Sequence, residues 1–301
     1  MDRFQELRVV LAIAGAGSLA RAAAALHSSP PAVTRTLSAV EDRLGVRLFE
    51  RTTRRLRITE PGTRFLENAR RILADLDAAE LDVTGQAKIA TGALTMTASL
   101  TFGRAVLRPI ASGFLEANPR VNVSLLIFDR VVDLVEEGFD LAVRIGHLPD
   151  SSLMSRHVGE VRRLLVASPD YLSKRGIPSH PEDLKLHSII SQSALMPNGE
   201  WRYWRGGKPA RIALPARFEI NDAHACIAAA EEGQGITIAL SYMVNSALRQ
   251  GKLVSILAPF TPPPIPVSLV WPQRRMTVPK VRAFIEHAAP RLHARLLDLQ
   301  H

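Results

Sequence analysis

The chain has a single cysteine, Cys226, among its 301 residues. One cysteine cannot form a disulfide within the chain, and alone it cannot build a cysteine-based metal site. No apolar run approaches the roughly 20 residues needed to cross a bilayer. The opening segment, MDRFQELRVV, carries charges where a secretion signal needs an apolar stretch. We therefore expect a cytoplasmic protein without a membrane partner.

Catalytic signatures are also missing from the sequence. It contains no Gly-x-Ser-x-Gly elbow, no His-Glu-x-x-His pair and no phosphate-binding Gly-rich loop. The nine histidines are scattered without the spacing of metal ligands. These absences argue against an enzyme and give no reason to expect a metal or a cofactor. The hydrophobic content of 47% is ample for packed cores.

What is present begins at residues 18–45, which have the pattern of two short helices joined by a tight turn. Ser18 is a good N-cap for an Ala-rich first helix. Ser29 can cap the second helix, Pro30 suits its first position and Gly45 suits its end. Apolar residues recur on one face of the second helix and should pack inward: Val33, Leu37, Val40 and Leu44.

The opposite face of the second helix is small and polar around one arginine. A helix with such a face can enter the DNA major groove. Arg35 can fork onto guanine O6 and N7, while Thr34 or Ser38 can reach a base edge or a phosphate. The alternative is that Arg35 is an ordinary solvated arginine, as most charged residues are. The candidate DNA contacts of this helix and its cap are Ser29, Pro31, Thr34, Arg35 and Ser38.

An arginine-rich segment with the pattern of a β-wing follows the helix pair. Its arginines face a single nearby acid, Glu50, and such an excess suits a wing flanked by phosphates. Arg51 and Arg54 are the candidates for phosphate or minor-groove contact. The net charge of +9 is not decisive, because residues 1–90 carry 14 basic against 11 acidic residues. The arginines of the segment are Arg43, Arg47, Arg51, Arg54, Arg55 and Arg57.

The segment from Phe4 to Gly62 resembles the DNA-binding domain of the LysR-type transcriptional regulators. The motifs that carry the resemblance include Arg-Leu-Phe-Glu-Arg at 47–51 and Thr-Glu-Pro-Gly at 59–62, where proline replaces a more usual small residue. A later segment, VVDLVEEGFDLAVRIGHLPDSSL at 131–153, resembles the effector domain of the same family. The resemblance implies a winged helix-turn-helix that binds double-stranded promoter DNA, with RNA polymerase as a further partner.

The segment 61–90 carries a heptad-like apolar seam, with spacings that alternate between four and three residues. About 25 helical residues would form a rod of about 38 Å. One alternative is a helix packed on its own domain. A long helix between two domains favours a partner helix instead, and paired DNA half-sites demand a dimer. We expect a homodimer or homotetramer through Phe65, Ala69, Ile72, Leu76, Ala79 and Val83.

From Leu94 onward the pattern changes to strands that alternate with helices, the rhythm of a mostly parallel α/β sheet. The first unit has predicted strands over 94–99, 121–128 and 140–146, a helix over 103–117 and a short helix over 130–137. A second unit begins near Arg162, and a long helix over 278–297 closes the chain. Two such lobes linked by crossing strands resemble a periplasmic-binding-protein fold, as the family implies.

The expected domains follow from these patterns. The winged helix-turn-helix occupies residues 1–60, the linker helix 61–90 and the effector domain 91–301. Within the effector domain, lobe 1 is expected at about 91–161 and 268–301, and lobe 2 at about 162–267. In folds of this kind a small ligand lies between the lobes, at strand carboxyl ends and helix N-termini.

Three segments are candidates for the lining of that cleft. Ser99 and Thr101 open a helix after the first strand, where hydroxyls and free N–H groups suit an anion, although they can equally be helix caps only. Arg144 can meet a carboxylate or pair with a surface acid. The Gly-rich turn at 233–236 can serve the turn alone. The resemblance implies that all three segments border the effector site: Ser99, Thr101, Phe102, Arg144, Gly146, Gly235 and Ile236.

These features predict a LysR-type transcriptional regulator controlled by a small-molecule effector, for which an anion is the leading candidate. The first alternative is an α/β small-molecule enzyme with an accessory DNA-binding head, and the missing catalytic motifs argue against it. A periplasmic solute receptor would fit residues 91–301, but the opening segment lacks the pattern of a secretion signal.

Overall fold

The computed structural model describes residues 2–51, 56–83, 90–149, 152–276 and 278–299. The chain divides into two compact units, residues 1–93 with 277–280 and residues 94–276 with 281–301. Within the described ranges, no helix combines the length and the apolar composition that a membrane span requires.

Three helices form the core of the N-terminal unit: α1 (Arg3–Ala16), α2 (Leu19–Ala25) and α3 (Pro30–Leu44). The side chain of Ser18 caps α2 and that of Ser29 caps α3, while Gly45 ends α3 in the left-handed conformation, as predicted. The buried face of α3 contributes Val33, Leu37 and Val40 to this core.

Leu44 was predicted to pack inward and does not, because its side chain is 38% exposed at the last turn of α3. The helix ends at the next residue, so no further turn covers this position.

The N-terminal unit continues with two short strands and a long helix. Strand β1 (Phe49–Arg51) pairs antiparallel with β2 (Leu56–Ile58), and α4 spans Glu60–Val83. A Cβ at Gly62 would lie 2.1 Å from the carbonyl oxygen of Leu48, so only glycine lets the start of α4 approach the wing this closely. Pro61 lies in the first turn of α4, where a missing N–H costs no helical hydrogen bond.

The C-terminal unit begins with β3 (Gly92–Ala98), α5 (Leu100–Phe102), a π-helical turn (Gly103–Leu107) and α6 (Arg108–Ala117). The chain then forms β4 (Val121–Ile127), β5 (Leu141–Ile145), β6 (Leu153–Val161), β7 (Arg163–Ala167), α7 (Pro169–Arg175) and β8 (Ile189–Gln192). Next come β9 (Glu200–Arg205), β10 (Lys208–Ala213), β11 (Phe218–Ile220), α8 (Ala223–Glu231), β12 (Ile236–Leu240) and α9 (Ser241–Arg249). The last elements are β13 (Val254–Ile256), β14 (Ile265–Pro272) and α10 (Pro279–Asp298).

Two five-stranded sheets organise this unit into two lobes. The lobe 1 sheet has the strand order β4-β3-β5-β14-β6, and the lobe 2 sheet has the order β11-β8-β12-β7-β13. A separate hairpin pairs β9 with β10 and packs Trp201 and Tyr203 onto the core of lobe 2. The chain therefore combines a winged helix-turn-helix with the expected two-lobed α/β architecture.

Both sheets are mixed and not mostly parallel, which corrects the expectation from sequence. Strand β3 is parallel to β5, but β14 is antiparallel to both β5 and β6. In lobe 2, β12 is parallel to β8 and antiparallel to β7. The antiparallel strands arise where the chain crosses between lobes and returns, a topology that the local strand–helix rhythm does not contain.

The predicted helix over 130–137 is also wrong, because the chain forms a series of turns there. The Asp133 carboxylate accepts hydrogen bonds from the N–H groups of Val135 and Glu136. Short acidic side chains that bond nearby N–H groups favour turns over a continued helix.

Candidate functional site

The exposed face of α3 is the first candidate site. Arg35 and Pro31 are exposed, Thr34 and Ser38 are half-buried, and Ser29 accepts a hydrogen bond from Ala32 N at 3.4 Å. Within the described ranges no ion pair involves Arg35. The five residues predicted to contact DNA therefore share one side and one end of a helix that its buried face fixes in place.

The wing is attached to α3 through the carboxylate of Glu41, whose side chain is 4% exposed. Glu41 Oε1 accepts hydrogen bonds from Leu48 N at 2.7 Å and Phe49 N at 3.1 Å, and Arg47 Nη1 donates to Oε2 at 2.7 Å. Burial alone would raise the pKa of Glu41, but the bonds from Arg47, Leu48 and Phe49 outweigh it and hold the pKa below its ordinary value.

Two arginines counted in the basic segment are already paired within the chain. Arg47 binds Glu41, and Arg43 donates to Glu6. The charge that the segment can offer to DNA is therefore smaller than the sequence indicates. Arg57 is exposed on β2. Arg54 lies outside the described residues, as does the side chain of Arg51.

The predicted dimer seam divides between two environments on α4. Phe65 is half-buried against the core of the N-terminal unit, and Ala69 is 1% exposed. Ile72 is 42% exposed and Leu76 is half-buried. The seam's first positions thus pack within their own unit, and Ile72 opens to solvent. The side chains of Ala79 and Val83 lie outside the described residues.

A cavity of about 360 Å³ lies between the two lobes, at the lower end of the range for metabolite sites. The carboxyl ends of β3, β5, β8 and β12 all meet it, as expected for an open α/β fold. Its lining includes Ser99, Thr101, Asp129, Arg130, Arg144, Gly146, Arg163, Gln192, Leu240 and Tyr242.

Four of the predicted effector residues, Ser99, Thr101, Arg144 and Gly146, line this cleft. Thr101 is 7% exposed. The side chain of Ser99 makes no helix-capping hydrogen bond, so capping is not its role here. The Arg144 guanidinium donates to the Val132 carbonyl, which aims the side chain along the cleft wall.

Three of the predicted effector residues do not line the cleft. Phe102 is fully buried and packs edge-on against Tyr242, with ring centroids 5.2 Å apart. Gly235 lets β12 start beside Ser188, since a Cβ there would lie 2.4 Å from the Ser188 oxygen. Ile236 is buried in the lobe 2 core. Both belong to the amino end of β12, roughly 13 Å along the strand from the end that meets the cleft.

Sequence reasoning missed the lobe 2 side of the lining, whose polar residues are Arg163, Gln192 and Tyr242. Gln192 is the last residue of β8, and Tyr242 stands in the first turn of α9, directly after β12. The rule that found Ser99 after β3 would have found Tyr242 after β12. The Gly-rich turn at 233–235 precedes β12 and so lies at the opposite end of that strand from Tyr242.

The titratable residues that line the cleft carry a positive excess, with Arg130, Arg144 and Arg163 facing one acid, Asp129. Arg130 is paired with Glu137, and Asp129 accepts a hydrogen bond from Leu100 N at 3.0 Å. Arg163 makes no ion pair with any residue in the described part of the chain. Burial lowers the pKa of Arg163, and the charge of Arg202 adds to that effect.

A winged helix-turn-helix followed by a two-lobed α/β domain defines a class of DNA-binding regulators with a sensing domain. The comparisons place the chain within that class. Residues 4–63 match the bacterial regulatory helix-turn-helix protein model of the lysR family, and residues 88–292 match the LysR substrate binding domain. The chain belongs to the LysR family of transcriptional regulators. The enzyme alternative finds no support in these matches.

Curated relatives are described as HTH-type transcriptional regulators. A Haemophilus influenzae HTH-type transcriptional regulator is 30% identical over 275 residues, which cover 91% of this chain and 96% of the relative. The HTH-type transcriptional regulator CrgA of Neisseria meningitidis is 32% identical over 255 residues, which cover 84% of this chain and 85% of CrgA.

Solved structures share the fold at nearly full length. The structure of CrgA has a TM-score of 0.62 at 29% identity and covers 96% of this chain and 98% of that one. The full-length structure of AphB, described as a Vibrio cholerae virulence activator, has a TM-score of 0.61 at 28% identity with the same coverage.

Proposed function

We propose that this LysR-type regulator binds promoter DNA as a dimer or tetramer, responds to a small effector in the interlobe cleft and passes the response to RNA polymerase. The proposal that an effector binds in the cleft rests on the cavity between the lobes. Its walls come from both lobes, and buried polar groups such as Thr101 face it. A ligand that contacts both walls would favour one lobe arrangement over another, which is how differential affinity shifts a conformational equilibrium.

The DNA interface is proposed on the exposed face of α3. Arg35 would read a guanine, Thr34 or Ser38 would meet a base edge or a phosphate, and Ser29 and Pro31 lie at the helix end nearest the groove floor. Arg51 and Arg54 of the wing would contact phosphates or the minor groove. The structure of CbnR, a protein 24% identical to this chain, is described as a complex with its target DNA, and at that identity it supports the fold alone.

The dimer is proposed along α4. Ile72 is 42% exposed and Leu76 is half-buried, and both lie beyond the seam positions that pack on the N-terminal core. Ala79 and Val83 would continue the seam. Phe65 and Ala69 would act indirectly, since they fasten the helix to its own DNA-binding unit. Two recognition helices spaced one DNA turn apart would then read paired half-sites.

The proposal is tested with the full-length protein in two stages. Selection from a random duplex library yields the preferred DNA sites, and wild-type protein should enrich sites with two related halves. A metabolite screen by thermal shift then finds the effector, because a ligand that binds the folded state raises apparent stability by mass action. The effector should change the affinity or the spacing of the selected sites. A ligand that leaves DNA binding unchanged in every respect would contradict the regulatory assignment.

A further inference from the structure

Three buried polar atoms of the cleft have no hydrogen-bond partner among the residues that the structure describes: Ser99 Oγ, Gln192 Oε1 and Tyr242 Oη. Two further such atoms, on Trp271 and His287, do not line the cleft. A buried polar group without a partner destabilises a fold, so such atoms are few in native proteins. Three of them in one cavity indicate that a ligand supplies the missing bonds.

The three atoms come from both lobes and differ in what they need. Ser99 follows β3 in lobe 1, while in lobe 2 Gln192 is the last residue of β8 and Tyr242 follows the carboxyl end of β12. The amide oxygen of Gln192 can only accept a hydrogen bond, so its partner must be a donor. The two hydroxyls can donate as well as accept. A ligand that satisfies all three must offer at least one donor and one acceptor.

The phenol of Tyr242 stays protonated under physiological conditions. Burial raises its pKa far above the ordinary value and the charge of Asp129 adds to that rise, while the Ser99 hydroxyl, which lies near the phenol without meeting hydrogen-bond geometry, offsets part of it. The ring is held by its edge-on contact with Phe102 across the lobes. Tyr242 is therefore a fixed hydrogen-bond donor to whatever acceptor lies between the lobes.

Arg163 adds a cation to the same corner of the cleft. It pairs in register with Leu240 at the carboxyl end of β12, and β8, which ends at Gln192, flanks β12 on the other side. Two strand spacings of about 4.8 Å place the backbones of Arg163 and Gln192 about 10 Å apart. Side chains reaching inward from both positions can hold two groups of one metabolite-sized molecule.

We propose that the effector is a small carboxylate that also carries a hydroxyl or amino group. Its carboxylate binds Arg163, its donor faces Gln192 Oε1, and the hydroxyls of Ser99 and Tyr242 donate to its remaining oxygens. This assignment of chemical class rests on the proposed effector role of the cleft. A plain carboxylic acid leaves Gln192 without a donor, and a neutral polyol leaves Arg163 without an anion.

The first test needs no ligand. If the orphaned atoms serve a ligand, removing them should not destabilise the unliganded full-length protein. Ser99→Ala, Tyr242→Phe and Gln192→Leu should each leave the melting temperature unchanged or raise it by about 2–4 °C. Thr237→Val is the matched control, because Thr237 Oγ1 donates to Ile190 O at 2.9 Å in the same sheet and its loss should lower the melting temperature. A comparable drop in the three cleft variants would overturn the proposal, because it would show that these atoms are satisfied within the protein.

The second test uses matched probes on full-length protein. Malate, aspartate, succinate and malamide, with their longer and aromatic counterparts, are screened by thermal shift at about 10 mM. Binding should be confined to acids with a hydroxyl or amino group, and the matched plain acid should bind at least about tenfold more weakly. Arg163→Gln should weaken the best probe by about tenfold or more, whereas the exposed neighbour substitution Arg162→Gln should not.

Two outcomes separate this inference from the proposed function. A plain acid or a neutral amide that binds best, yet loses affinity in Thr101→Val, would overturn the chemical class and leave the cleft as the effector site. A ligand that controls DNA binding but is insensitive to both Arg163→Gln and Thr101→Val would remove the effector from the cleft. Failure of every probe to shift the melting temperature would also overturn the chemical class.

Discussion

The Oε1 atom of Glu41 lies 2.7 Å from the backbone nitrogen of Leu48, and this hydrogen bond joins α3 to the residue that precedes the wing. The same oxygen accepts from Phe49 N at 3.1 Å, so two buried N–H groups depend on one carboxylate. The carboxylate that binds both N–H groups stands on α3, seven residues before Leu48. The orientation of the wing is thus set from within α3.

Replacing Glu41 should separate its hydrogen-bonding role from its charge. Glu41→Ala leaves two buried donors unsatisfied and should cost about 1–3 kcal/mol for each. Glu41→Gln keeps an acceptor, so its loss should be clearly smaller. Urea unfolding of the two variants measures the difference. Equal losses would mean that the Arg47 ion pair, and not the two N–H bonds, is what the carboxylate contributes.

Acidification should reproduce part of this effect. The pKa of Glu41 is depressed in the folded state, so its contribution is complete above its ordinary value of about 4.3 and is lost as the pH falls through the lower folded value. The unfolding free energy of the wild type should therefore decrease as the pH drops below about 4.3. In Glu41→Gln this decrease with falling pH should be smaller. If the variant loses as much unfolding free energy at acidic pH as the wild type, other carboxylates are responsible for that loss.

Arg35 should discriminate between DNA sequences and Arg54 should not. Arg35→Ala should lose about 1–3 kcal/mol at the selected site if the side chain forks onto guanine. Arg54→Ala should weaken all sequences alike and reduce the salt dependence of binding. Fluorescence anisotropy on selected and scrambled duplexes over a salt series compares them. Unaltered binding of Arg35→Ala to the selected site would remove its base contact.

The solvent-facing part of the α4 seam should control assembly without controlling the monomer fold. Ile72→Asp with Leu76→Asp places unpaired charge in the proposed interface, where burial is costly. The dimer should dissociate and affinity for paired half-sites should collapse, while circular dichroism stays native. Light scattering measures the mass. Ala69→Asp is the contrast, because this buried position should disrupt the N-terminal unit itself. If the double mutant remains a dimer, the main dimer interface is not the α4 seam.

Cys226 should be inert in the native protein. Its thiol is buried, contacts the carbonyl oxygens of Ser191 and Ile220 at 3.8 and 3.7 Å, and has its pKa raised to about 11 by burial. At pH 8 only about one thiol in a thousand would be ionised, and the thiolate is the reactive form. Ellman's reagent should react slowly with the native protein and fully after unfolding in urea. Rapid native reaction would show that lobe 2 opens around α8.

Thr101→Val should weaken the effector while sparing basal DNA binding. The change keeps the shape but removes a hydroxyl that faces the cleft. Affinity for the effector found by screening should fall by about 0.5–1.5 kcal/mol, or up to about 3 kcal/mol if the partner group is charged. Calorimetry measures the affinity for the effector, and a gel shift measures DNA binding without effector. Equal effector affinity would exclude Thr101 from the site, and lost DNA binding without effector would indicate misfolding.

Local signals in the sequence predicted the N-terminal unit well. Caps such as Ser18 and Ser29, the glycine stop at Gly45 and the stripe on α3 act within one or two helical turns, so a linear pattern contains them. The family resemblance extended this to the two-lobed architecture. Leu44 and the basic segment were misjudged because their surroundings depend on distant partners such as Glu6 and on where the helix ends.

The cleft was harder to predict because its lining is assembled from eight separate segments of the chain. Ser99, Thr101, Arg144 and Gly146 were found by the rule that ligands meet strand carboxyl ends. Arg163 escaped because its strand is antiparallel, so that its first residue, and not its last, reaches the cleft. Strand β6 was missed entirely, since its exposed residues show no alternation between apolar and polar positions.

Val161 on β6 pairs with Ile265 on β14, so the strand that leaves lobe 1 and the strand that returns to it are antiparallel neighbours. Antiparallel partners lie about 5 Å apart, so the chain leaves lobe 1 and rejoins it at nearly one point. Everything from 162 to 264 is thus an insertion with adjacent ends, and a short turn could replace it without breaking the lobe 1 sheet. If the cleft holds the effector as proposed, replacing this insertion would change one wall of the ligand site while the lobe 1 sheet and the N-terminal unit keep their sequence.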